Sequence, residues 1–426
     1  MMRRSSSRSF VGISAAALVS MLTLSSCAPE TSMPVPSSSP TETAVSTADG
    51  VLRIGTLLPA SSASQVAGVE LAVRDINLGG GVGGVPVEVF HRTSGAAETG
   101  QLESAFGDLV DKGVDVVIGP SSEQFRDRLA PLAEEAGILI MSPTVAVPET
   151  RDDALFLSLA APLSAQATEL SAGLIDAGAT LVTLVAVRES ASLGESEAVF
   201  TSDVDALAEA LHSKLDAAGA RLALATRFDV SEPDLPRLLA ALAKSRAEHI
   251  VLATPRGGAG ATAGLVRELA TAGYPGSSLW FTAEATVSYA GSLPAGALEG
   301  AHGLRGAAES NSDFLLGVIQ SDPGLGFRSS AGEAYDAVML AAVAAVVGGD
   351  DGGSAIAATA RRSVADSIRC SYFAECLDIF AQGRAVDYCG VTGSRGFSAG
   401  GSILSADFVR YAFTAENSPV VAQPLQ

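Results

Sequence analysis

The sequence predicts an α/β molecule of two lobes, each built on a doubly wound parallel sheet. Short apolar runs alternate with segments whose apolar residues recur at helical spacing, the pattern of repeated βα units covered on both faces. The units come in two successive blocks, the second resuming after Asp152. About 376 residues follow a polar N-terminal stretch, and 47% of the chain is hydrophobic. That exceeds the ~250–300 residues at which a single core stops growing.

Val51–Leu58 is an apolar run closed by Pro59, as in a buried parallel strand. Val66, Val69, Val73 and Ile76 place a helix over Gln65–Asn77, and the glycines at 79–84 stop it. A strand follows at Val85–Phe90, then a helix lined by Leu102, Phe106, Leu109 and Val110. A strand at Val114–Ile118, a helix through Leu129–Ala136 and a strand at Gly137–Met141 complete the first block. In the second block, strands are expected at Thr180–Val187, Arg221–Phe228, His249–Ala253 and Ser278–Phe281. Helices are expected at Ala165–Ala177, Asp203–Ala218, Leu235–Ser245 and Ala261–Ala272. Ala-rich Val338–Val347 reads as a buried helix, and no segment after the N-terminal leader reaches the ~18 uninterrupted apolar residues of a membrane span.

The leader itself has the form of a signal peptide. Arg3, Arg4 and Arg8 precede an apolar run of 14 residues, Val11–Leu24, and Leu24-Ser25-Ser26-Cys27 resembles a bacterial lipobox. Residues 1–26 would be removed and Cys27 lipidated. The Ser/Thr/Pro-rich stretch 27–50 would be a disordered tether to the membrane, because it buries too little apolar surface to offset its ordering entropy. The alternative is an ordinary secreted protein cleaved nearby, with Cys27 incidental.

Composition excludes several function classes. The whole chain has a formal net charge of −20. The leader carries three arginines and no acid, so the mature chain stands at 24 basic against 47 acidic residues. Nucleic acid and anionic lipid surfaces are therefore not partners of its charge. The glycines at 79–84 lie between a helix and a strand, whereas a phosphate cradle needs a strand-to-helix turn. His91, His212, His249 and His302 are scattered, with no cysteine or acid at metal-ligand spacing, and no Gly-x-Ser-x-Gly elbow occurs. No catalytic residue, metal or cofactor is expected.

Asp75-Ile76-Asn77 followed by the glycines and Val85-Pro86-Val87-Glu88 is similar to the helix–glycine–strand segment of the branched-chain amino acid binding proteins of ABC importers. Val116-Val117-Ile118-Gly119-Pro120-Ser121-Ser122 is similar to their second ligand loop, and Gly137 to Pro143 with Pro148-Glu149 to their third. Ala334-Tyr335-Asp336-Ala337-Val338 and Gly390-Val391-Thr392-Gly393 match a helix start and a late turn. The resemblance covers essentially all of 51–415. It implies a type 1 periplasmic-binding fold with a three-crossing hinge, lobe 1 holding 51–158 and 304–388 and lobe 2 holding 159–303 and 389–426. It also implies a small-molecule solute enclosed between the lobes, ABC permease subunits as partners, and ligand-facing positions at Ser121, Ser122, Thr144, Ala146 and Glu284.

Departures from the family qualify the ligand. Ala146 stands where the family has a threonine, Leu193-Gly194 where it has an aromatic before glycine, and the first loop, Pro59–Gly68, is short. A shift of the serine pair by one position would put Glu123 at a ligand position. The pocket is thus expected to take an amino acid or a related compound, or to belong to a receptor of the same fold with altered or lost binding that acts in sensing. An extracytoplasmic enzyme is the remaining alternative. Cys370-Ser371-Tyr372-Phe373-Ala374-Glu375-Cys376 resembles a paired-cysteine segment of actinobacterial family members, implying a Cys370–Cys376 disulfide. Cys376–Cys389 is the competing pair, and an odd cysteine could also pair between molecules.

Overall fold

Successive strand residues enter different cores, which explains the unbroken apolar runs. The computed structural model describes residues 48–95, 99–145, 153–188, 194–254, 259–325, 330–363, 365–393 and 395–422. The expected signal peptide, Cys27, Ala146 and Leu193 lie outside them. The first block runs β1 (Arg53–Leu58), α1 (Ala63–Leu78), β2 (Glu88–Thr93), α2 (Gln101–Val110), β3 (Val116–Ile118), α3 (Glu123–Ala136), β4 (Leu139–Ser142) and β5 (Phe156–Ser158). Its sheet is parallel, in the order β2-β1-β3-β4-β5. Val116, Ile118, Leu139 and Met141 join one apolar cluster, while Val117 and Ile140 join the cluster on the other face.

The second block runs α4 (Ala167–Asp176), β6 (Leu181–Arg188), α5 (Gly194–Ala217), β7 (Arg221–Asp229), α6 (Leu235–Ser245), β8 (His249–Ala253), α7 (Ala259–Thr271), β9 (Leu279–Phe281) and β10 (His302–Gly306). The same division recurs: Ile250, Leu252, Leu279 and Phe281 point to one core, Val251, Ala253 and Trp280 to the other. The chain then returns to the first lobe with α8 (Ser312–Ser321), α9 (Ala331–Gly348), α10 (Gly353–Ala360), β11 (Ile368–Cys370), α11 (Phe373–Ala381), β12 (Val386–Tyr388), β13 (Arg395–Phe397) and β14 (Ile403–Ser405). It ends in β15 (Phe408–Phe413) and β16 (Pro419–Val421). The second sheet has the order β16-β15-β10-β9-β8-β6-β7, with β15 and β16 antiparallel on an otherwise parallel sheet. That antiparallel edge was not anticipated from βα periodicity.

The chain therefore crosses between lobes three times, after β5, after β10 and before β15. The exchange points differ from those implied by the resemblance. Residues 302–306 pair as β10 within the second sheet, and Val391 and Ile403 pack into the first lobe's core. The glycine cluster is a helix stop and turn, as read from sequence. Gly81 takes φ +76 and packs so tightly against the Val85 carbonyl that a Cβ would collide with it. Beyond it, the Asn77 side chain both accepts from Val87 N and donates to Val87 O, at 2.7 and 3.1 Å, and so sets the entry of the next strand.

Helix α9 is long and apolar enough to cross a membrane by composition, but 72% of it is buried inside the fold, packed on α1. It carries the most heavily bonded carboxylate of the described residues. Asp336 is 1% exposed and accepts from Tyr388 Oη, Val391 N, Thr392 N and Thr392 Oγ1, at 2.8, 3.0, 2.9 and 2.6 Å. Burial pushes its carboxyl up to about 6, against the four donors, which favour the ionised form. Gly390 lies against this carboxylate at φ +59, where a side chain would clash.

Cys370 and Cys376 form a disulfide, with an S–S distance of 2.03 Å, and Cys389 is a free thiol. The histidines take structural places. Trp280 stacks on His302 at 4.3 Å and donates from Nε1 to His249 Nδ1 at 3.1 Å, while His91 Nε2 pairs with Glu70.

Asp336→Ala is expected to destabilise the fold by about 3–5 kcal/mol, because it leaves four buried donors without their acceptor, and Thr392→Val by about 1–2 kcal/mol; urea unfolding followed by circular dichroism measures both. A second expectation concerns pH. Burial, with Asp351 and Asp49 nearby, pushes Asp115 up to about 7 despite its bonds to Arg53. The folded state holds this proton from about pH 4, where the unfolded carboxyl loses it, up to about 7. The Asp115 contribution is therefore full below that lower limit and is lost as pH rises through 7. Asp115→Asn should flatten the fall in the urea midpoint between mildly acidic and mildly alkaline buffer, and an unchanged slope would exclude Asp115 as its source.

Candidate functional site

Among the described residues, the expected ligand positions Ser121, Ser122, Thr144 and Glu284 lie just past the carboxyl ends of strands in the two sheets. In lobe 1, β3 ends at a loop containing a cis Gly119–Pro120 bond. Gly119 takes φ +137 with its α-carbon against the Leu57 carbonyl, a position open only to glycine. Ser142, at the end of β4, stitches this loop to the next. Its Oγ donates to Pro120 O at 2.7 Å and accepts from Val145 N at 2.9 Å and Thr144 N at 3.3 Å. Ser121 and Thr144 are thereby held on adjacent loops. The buried hydroxyls of both, Oγ and Oγ1, have no hydrogen-bond partner among the described residues.

Ser122 is the N-cap of α3 with extended backbone, and its side chain makes no capping bond. The first-turn amides of α3 thus lack that side-chain acceptor, and a helix N-terminus in this state favours an anion. Arg126, in the first turn of α3, is 3% exposed. Its Nε and Nη2 bond Asp127 Oδ1 at 3.2 and 2.7 Å, while the buried Nη1 has no partner among the described residues. An unmatched N–H on a buried guanidinium is costly, and a bound anion would offset that cost.

In lobe 2, Glu284 sits in a short 3-10 turn directly after β9. Its carboxylate accepts from Gln166 Nε2 at 3.2 and 3.1 Å. Gln166 is fully buried and accepts from Ala283 N at 2.8 Å through Oε1, which fixes the amide's orientation and so aims its N–H at Glu284. Beside it, the buried Thr282 Oγ1 has no partner among the described residues. Helix α3 of lobe 1 touches α5 of lobe 2.

The sequence reading named Ser121, Ser122, Thr144 and Glu284 and did not single out Gln166, which bonds Glu284, or Arg126 and Thr282, which follow or precede these positions closely in the chain. Thr282 could have been noticed as the first polar residue after an apolar strand. Nothing in the sequence marks Gln166, because its partner lies more than a hundred positions away.

Two parallel-sheet lobes, three crossings, and polar loops at the carboxyl ends of both sheets define a two-lobed receptor for a small molecule. The chain belongs to the periplasmic binding protein family, whose model matches residues 52–369. No curated protein sequence matches it. Among solved structures it is similar to an ABC transporter substrate-binding protein from Desulfitobacterium hafniense in complex with leucine, at 19% identity and TM-score 0.60, over 87% of this chain and 100% of that one. It is also similar to the branched-chain amino acid transporter substrate binding protein of Streptococcus pneumoniae in complex with isoleucine, at 18% identity and TM-score 0.55, over 88% and 100%. An ABC transporter solute binding protein of R. palustris in complex with benzoate aligns at 16% identity and TM-score 0.55, over 87% and 95%.

Gln166→Leu should leave the Glu284 carboxylate and Ala283 N–H without their partner and lower stability by about 2–3 kcal/mol. A double-mutant cycle of urea midpoints over Gln166→Leu, Glu284→Leu and the double variant checks the pairing. If the two effects simply add, the contact contributes nothing.

Proposed function

We propose that this protein is the extracytoplasmic solute receptor of an ABC importer, held to the membrane by a lipid on Cys27, and that its solute is an amino acid or a related compound. The observation that carries the solute class is the separation of charge between the lobes. Lobe 1 offers the Ser121 and Thr144 hydroxyls, the open α3 amides and the buried Arg126 guanidinium, all suited to a carboxylate. Lobe 2 offers the oriented Glu284 carboxylate, suited to an ammonium or other donor. Charge-assisted hydrogen bonds at both ends would fix a zwitterion in one orientation. Closure of the lobes around it would present a single shape to the permease.

The departures at Ala146 and Leu193 argue for a solute other than leucine, isoleucine or valine. Calorimetry on ligand-stripped protein is expected to show weak or absent binding of those three amino acids. Any solute with a cationic end should lose at least tenfold in affinity on Glu284→Ala, about 1.4 kcal/mol. Submicromolar leucine binding would overturn the first expectation, and a zwitterionic solute indifferent to Glu284→Ala would overturn the second. A second reading, an aromatic acid, is favoured by the benzoate-bound neighbour. Such a ligand needs the anion end alone, so its binding would survive Glu284→Ala and fall with Arg126→Ala. The anchor has its own test: Cys27→Ser should move the protein from the detergent phase to the aqueous phase of a detergent separation, or leave it unprocessed.

A further inference from the structure

A cavity of about 490 Å3 opens in lobe 1 among α9, the segment after α10, β12 and the β13–β14 hairpin. None of the residues lining it belongs to the loops that carry Ser121, Thr144 or Glu284. Its size lies within the ~300–1,000 Å3 of small-molecule sites. One wall is a single face of α9, where Leu340, Val343, Ala344 and Val347 follow the spacing i, i+3, i+4, i+7. Phe397 and Leu404 of the hairpin also line it, and Leu404 is 57% exposed, a large apolar side chain left in water.

The lining also carries cations. Arg362 and Arg384 are exposed, and neither makes an ion pair among the described residues. Ser363 and Ser367 supply hydroxyls to the same lining. Arg361 has a different role, since its guanidinium donates to the backbone carbonyls of Asp153, Phe156 and Ala399 and ties β5 to the hairpin. The lining acids are already engaged: Asp336 with the 388–392 turn, and Asp387 with Arg369 at 4.0 Å. A chain of net charge −20 thus keeps, beside an apolar hollow, two guanidinium groups with no ion pair among the described residues.

A neutral apolar guest would leave those cations unmatched, and a small hydrophilic anion would leave the α9 wall in water. An anion with an apolar body satisfies both. We propose that this cavity is a second ligand site, separate from the loops at the carboxyl ends of the sheets, for an amphipathic monoanion of the medium-chain carboxylate class. The chain packs along α9, and the carboxylate meets Arg362 and Arg384.

Calorimetric titration of the purified full chain with decanoate, in detergent-free buffer, tests this. One saturable site is expected. It should weaken at least tenfold in the Arg362→Ala, Arg384→Ala double variant and, by charge repulsion, in Leu404→Glu. Decanol, which keeps the chain and lacks the charge, should bind at least tenfold more weakly than decanoate. All substituted positions are exposed, and thermal melts followed by circular dichroism confirm that the variants fold. Absence of saturable decanoate binding to the folded wild type would overturn the proposal. So would decanoate affinity unchanged in the double variant, or equal binding of decanol.

Discussion

One buried carboxylate organises the joint between the lobes. Asp336 gathers donors from the end of β12 and from the turn at 390–393, two segments about fifty residues further along the chain. Those contacts seat the third crossing on the central helix of lobe 1. Without them the segment leading into β15 would have only its own short hairpin and a few backbone bonds to hold it. The cost of placing a carboxylate where almost no water reaches is met by four donors, two of them backbone amides that a folded turn presents at no side-chain entropy. Its position on α9 matters as well, because α9 packs against α1 and so is fixed independently of the turn it holds.

The site depends on a similar economy of parts. The Ser142 hydroxyl makes three hydrogen bonds and thereby couples two loops that carry hydroxyls with no partner among the described residues. In the other lobe Gln166 plays the corresponding part for Glu284. The Ser121 and Thr144 loops and the Glu284 carboxylate are thus each held by a side chain whose own hydrogen bonds are made. Such groups lose little freedom when a ligand arrives, so more of the interaction appears as affinity.

Much of the fold was legible in the sequence, and the reason lies in the two-faced strands. β3, β4, β8 and β9 are buried on both sides, so their residues are apolar without interruption and stand out against the helices. β15 was not anticipated, since its residues are mostly half-buried and it pairs antiparallel, outside the βα rhythm. The two-residue alternation by which strands feed separate cores cannot be seen in an all-apolar run. At the site, Ser121 and Glu284 were legible because each directly follows such a strand. Arg126 resembled any helical arginine, and only its burial distinguishes it. The two short motifs around Asp336 and Thr392 were visible separately, but not the hydrogen bonds that join them.

The second and third crossings are bonded to each other: Ala307 N donates to Asp407 O, and Asp407 N to Thr392 O, both at 2.9 Å. The first crossing leaves β5 beside the hairpin, where Ser158 N donates to Gly401 O at 2.8 Å. Two of the three connections therefore form one ribbon and the third lies at its own anchorage. Such a hinge acts as a leaf spring rather than a swivel. It flexes across its flat face, while twisting the lobes about their long axis would shear the bonded pair. Relative motion of the lobes is thereby resisted in one direction more than in the other.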